Sequence, residues 1–122
     1  MSYHQDWLMR QIEAIAATLT YLLTGRKTPA ATVMPEEQTL SDTNSLYRLL
    51  CCLTQQGRIC EAENLLFDAM DRNDPEAAEA GVRFYADINQ LSDTALEAQD
   101  FSREEILSGL KELCRRCKLD IF

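Results

Sequence analysis

Residues 46–70, LYRLLCCLTQQGRICEAENLLFDAM, constrain the chain more than any other stretch. Leu46, Leu49, Leu50 and Leu53 fall at i, i+3, i+4 and i+7, which puts four leucines on one face of a 3.6-residue helix. Gly57 follows, and glycine enters the left-handed conformation past a helix end without a Cβ clash. Ile59, Ala62, Leu65, Leu66 and Ala69 then form a second stripe, whose small members let two backbones approach. So short a connection makes the helices antiparallel neighbours. Neither can hide its leucines alone, so the hairpin predicts further helices packed around it.

The flanking sequence supplies them. Ser2 and Gln5 fit a capping box that starts a helix near Tyr3. Leu8, Ile12, Ile15, Leu19 and Leu22 follow at spacings of 4, 3, 4 and 3, a heptad-like seam that Trp7, Ala16 and Leu23 widen. Gly25 ends the pattern. Pro29 and Pro35 then break residues 26–41 into a linker. The expected layout is an N-terminal amphipathic helix at 1–25, a linker at 26–41 and a helical region at 42–122, one domain overall.

Ser41, Asp42 and Asn44 compete to cap the first hairpin helix, with Leu40 as a possible staple. Asn73-Asp74-Pro75-Glu76 is a helix start, and that helix should run to about Asn89 with Ala78, Val82, Tyr85 and Ile88 on one side. Leu91-Ser92-Asp93 opens a short helix. Ser102 and Glu105 form a capping box, with Phe101 stapling onto Ile106, and the last helix carries Ile106, Leu107, Leu110, Leu113, Cys114 and Cys117. Gly81 and Gly109 sit inside helices, where glycine costs about 1 kcal/mol against alanine, and so mark close helix crossings.

The expected fold is therefore all-α, a bundle of about five helices plus a short one, with the hairpin at its centre. In Gly57, Ile59, Glu61, Ala62, Leu66 and Ala69 the hairpin resembles a tetratricopeptide unit. Leu50 stands where that motif has a small residue, and the pattern does not recur downstream. The opening DWLMRQIEAIAATLTYLLTG and the tail FYADINQLSDTALEAQDFSREEILSGLKEL together resemble a family of small bacterial all-helical proteins of unknown function. The resemblance implies a helical fold. It carries no activity and no site residues.

Net charge is −8, and no basic stripe offsets it, which argues against nucleic-acid binding. Arg115, Arg116 and Lys118 cluster where cations complement a helix C-terminus. The nearly uncharged run from Ala14 to Leu23 is about half a membrane span. No export signal is visible and the five cysteines are odd in number, so a cytoplasmic protein with reduced thiols is expected.

Cys114-Arg115-Arg116-Cys117 is the one spacing suited to metal or redox chemistry. It lies near a helix C-terminus, where the dipole opposes a thiolate, so it is a weak metal candidate. His4 is the only histidine and lacks a partner for a catalytic dyad. Phosphate loops, HExxH and GxSxG are absent. DRNDPE lacks the glycine and closing acid of a calcium loop.

The expectation is a non-enzymatic interaction module without a cofactor. Its partner would be another protein or a second copy, a homodimer in the latter case, with neither nucleic acid nor membrane involved. The seam of Leu8, Ile12, Ile15, Leu19 and Leu22 faces the core of the chain itself or, in part, a partner, and docking would use that part or the open groove of the hairpin. The alternative is a helical protein that binds a small ligand or a metal in its core.

Overall fold

The computed structural model describes residues 3–24 and 44–118. Among these residues there are six helices and no strand. They are α1 (Tyr3–Thr24), α2 (Ser45–Gln55), α3 (Ile59–Asp71), α4 (Ala77–Asn89), α5 (Asp93–Ala98) and α6 (Arg103–Arg116). The fold is an all-α bundle. The linker 26–41, the candidate caps Ser41 and Asp42, the Leu40 staple, the Ser2–Gln5 box and the His4 side chain lie outside the described residues.

Of the three candidates to cap α2, Asn44 does so, its side-chain oxygen accepting the Tyr47 amide at 2.9 Å. Gly57 turns the chain at φ 77°, and the Arg58 amide closes back on the Leu53 carbonyl at 2.9 Å. Leu46 and Leu50 from α2 meet Ile59, Ala62, Leu66 and Ala69 from α3 in the core. Leu49 departs from the four-leucine stripe and is 54% exposed. The cause is the second neighbour of α2. Tyr47 and Cys51 turn toward α4, which rotates the buried face away from Leu49.

α4 is the hub, packed by α1, α2, α3 and α6. Its sequence shows only one apolar side, yet Ala77, Ala80, Gly81, Val82, Phe84, Tyr85, Ile88 and Asn89 are all buried. Small residues make this possible. A Cβ on Gly81 would stand 2.5 Å from a Leu113 methyl, and one on Gly109 would stand 2.2 Å from the Tyr85 hydroxyl. The two helix-interior glycines are thus points of close crossing, α4 against α6 in both cases.

A buried arginine locks the far end of the hub. Arg103, at the start of α6, donates to the Asn89 carbonyl at 3.0 Å, the Leu91 carbonyl at 2.8 Å and the Asp93 carboxylate at 3.0 Å. The Asn89 carbonyl is one of those that a helix leaves free at its C-terminus, and Leu91 lies just past that end. The Asn89 amide in turn donates to the Met9 carbonyl of α1 at 3.1 Å. Ser92 and Ser102 cap α5 and α6 by accepting the Ala95 and Glu105 amides. The LSD and FSREEI segments of the tail are therefore one physical unit joined through Arg103.

Candidate functional site

The seam expected for docking is divided by the structure. Leu8, Ile12 and Leu19 are buried against α4 and α6, Ile15 is half-buried, and Leu22 is 48% exposed. Ala16 joins the inward face. Most of the seam is therefore consumed within the chain.

A second seam lies one residue round the helix. Trp7, Gln11, Ala14, Thr18 and Tyr21 repeat the spacing of 4, 3, 4 and 3, and all are exposed. Trp7 is 56% exposed and Tyr21 53%. With Leu22 at its end this face extends about 22 Å along the helix. None of its six residues carries a charge, in a chain whose residues are 26% charged. The Thr18 hydroxyl donates to the Ala14 carbonyl at 3.0 Å, so its polar atom is already satisfied. The outward face of α1 thus presents two aromatics, a leucine, the amide of Gln11, a small alanine and an internally bonded threonine.

The hairpin and hub form a shallow cleft of about 210 Å³, lined by Cys51, Thr54, Gln55, Phe84, Asp87 and Leu91. Tyr47 donates its hydroxyl to Asp87, and the Arg83 guanidinium lies 5.0 Å over the Tyr47 ring. Desolvation raises the Asp87 carboxyl from its ordinary value, against the Tyr47 bond and Arg83, which both lower it. Tyr47 itself is pushed well above the usual phenol range, by burial first and then by Asp87. A phenol held so firmly in its protonated form is a hydrogen-bond donor and a poor base. On the other side of the hub the buried Tyr85 hydroxyl donates to Glu63 at 2.6 Å.

Cys114 is buried and Cys117 half-buried at the end of α6, and burial raises both thiols above their usual range. That disfavours the thiolate needed for nucleophilic or metal chemistry. Among the described residues no group of three or more His, Cys, Asp or Glu is placed to hold a metal ion. The arginines between the two thiols have structural partners. Arg115 and Arg116 both pair with Glu112, which they hold down to about 2, and Arg116 also reaches Asp71 and stacks 5.0 Å over Phe67. No helix among the described residues is long and apolar enough to cross a membrane.

Together these features define a small all-α bundle gathered on a buried central helix, with an uncharged face along its first helix. The chain belongs to a family of unknown function (DUF6483), which matches residues 2–118. No curated protein and no solved structure matches it.

Proposed function

We propose that this chain is a non-enzymatic protein-interaction module that docks its partner on the outward face of α1. The observation that carries the reading is the exposed, charge-free seam of Trp7, Gln11, Ala14, Thr18 and Tyr21. A contiguous exposed apolar face rimmed by polar residues is the usual mark of an interaction surface. Tryptophan and tyrosine are the side chains most enriched where binding energy concentrates. The likeness of the hairpin to a tetratricopeptide unit fits a chain that binds, and five free thiols fit a reducing cytoplasmic setting.

The test is a photo-crosslinking amino acid placed at Thr18, with the same group at Ser108, an exposed position on α6, as control. In the cells of origin, the Thr18 probe should yield discrete protein adducts that the Ser108 probe does not. Equal, diffuse labelling from both positions would refute the reading.

A second reading rests on the α2–α4 cleft. One oxygen of Asp87 is held by Tyr47, and Phe84 and Leu91 supply apolar walls. That combination suits a small amine with an apolar body, and a thermal-shift screen of such amines, repeated on Asp87→Asn, tests it.

A further inference from the structure

We infer that the partner on the outward face of α1 is a second copy of this chain, the two α1 helices crossing at Ala14 in a two-fold pair. The inference rests on the interaction reading above and gives it an occupant.

The first argument is the order of sizes along the face. Ala14 lies midway between Trp7 and Tyr21, seven residues from each, or about 10 Å along the axis. Helix axes that pack toward the close end of the usual ~8–10 Å need a small residue at the crossing point. A two-fold interface must be complementary to itself, so that residue i meets j while j meets i. A face ordered large, small, large with equal arms meets that condition. In an antiparallel crossing Ala14 meets its own counterpart, and Trp7 of each copy lies beside Tyr21 of the other.

The second argument is electrostatic. Each copy carries −8, so contact through most faces would set acids against acids. The seam positions Trp7, Gln11, Ala14, Thr18, Tyr21 and Leu22 carry no charge, the exposed Arg10 stands at the flank of this face, and the run from Ala14 to Thr24 contains no charge at all. Two copies can meet here with Arg10 as the one charge beside the contact, its long side chain reaching water at the rim. A strongly basic partner would find no acid among these positions to pair with.

Size then sets the strength. Aromatic side chains bury roughly 150–250 Å² each, and about half of Trp7 and of Tyr21 is exposed. With the residues between them, this amounts to about 400–500 Å² per copy, or about 900 Å² for the pair. That lies below the ~1,200–2,000 Å² of stable specific complexes and in the range of transient ones. The pair should therefore be weak and dependent on concentration.

Trp7 is the only tryptophan and lies on the proposed interface, so it reports directly. In sedimentation equilibrium the native chain should rise from its monomer mass of 13.9 kDa toward twice that value with increasing concentration. Trp7 emission should shift to the blue over the same range. Ala14→Arg puts a charge where the copies meet, at an exposed helical site. It should remain monomeric with unchanged circular dichroism, while Ala14→Ser still pairs. A native chain that stays monomeric at the highest concentration overturns the inference. So does a pair that Ala14→Arg leaves intact. A monomer that Thr18 still crosslinks to a different protein overturns the pairing while the interaction reading stands. A monomer whose Trp7 emission shifts only with phosphatidylcholine vesicles overturns it in favour of a lipid surface.

Discussion

Replacing Gly109 by alanine tests the closest contact in the bundle. The added Cβ would lie 2.2 Å from the Tyr85 hydroxyl oxygen, 2.3 Å from Cζ and 2.7 Å from Cε1. Tyr85 has no free direction in which to retreat. It is fully buried, its ring is tilted against Phe84 with centroids 5.0 Å apart, and its hydroxyl is bonded to Glu63. Helix propensity alone would favour alanine by about 1 kcal/mol. Against this, overpacking of a filled core costs about 1–3 kcal/mol. Displacing the hydroxyl from the carboxylate costs roughly another 1.5–3 kcal/mol. The sum is a net loss of about 1.5–5 kcal/mol, read as a lower urea midpoint at unchanged slope. Gly81→Ala is the matched comparison. There the Cβ would meet methyl ends of Leu113 and Leu66, which can rotate, so the loss should be smaller. Coupling to Tyr85→Leu in a double-mutant cycle should recover much of the Gly109→Ala penalty. A Gly109→Ala chain as stable as the native one, or more so, would refute the close crossing.

Arg103→Met should orphan the Asn89 and Leu91 carbonyls, at about 1–3 kcal/mol each. Arg103→Lys should rescue only part of that, because one ammonium cannot span both carbonyls and Asp93. Thermal unfolding checks this, and a melting temperature unmoved in both variants would remove the arginine lock. Glu63 supplies a pH test. Burial raises its carboxyl above 4.5, with the Tyr85 bond acting in the opposite direction. The native state therefore holds that proton more tightly than the unfolded chain does. The contribution is full below 4.5 and is lost as pH rises through the raised folded value. Glu63→Gln, which can still accept from Tyr85, should flatten the fall of stability above 4.5, and an unchanged pH slope would count against it.

Local chemistry is what the sequence shows best. Ser102 with Glu105, Ser92 before Asp93 and Gly57 after α2 each act on atoms a few residues away, and each does so in the structure. Long-range demands are harder to see. Ala77 and Ala80 are small residues that no hydrophobic stripe flags, yet with Gly81 they let four helices close on α4. Nothing around Arg103 announces burial, because its acceptors come from Asn89, Leu91 and Asp93. The first helix shows both cases. Its apolar spacing is plain, but two seams run side by side. The outer one, containing Gln11, Ala14 and Thr18, is marked by absence of charge more than by hydrophobicity. Exposure of Trp7 and Tyr21 separates the two seams, and only tertiary packing decides it.

The docking of α1 has a consequence for synthesis. Chains emerge from the ribosome N-terminus first and fold as they lengthen. The two elements that cover Leu8, Ile12 and Leu19 are α4 and α6, and α6 is the last of the described helices to emerge. The relay from Met9 through Asn89 to Arg103 also waits for the start of α6. The nascent first helix thus keeps part of its leucine side uncovered until α6 has emerged, and chaperones have access to it for that interval.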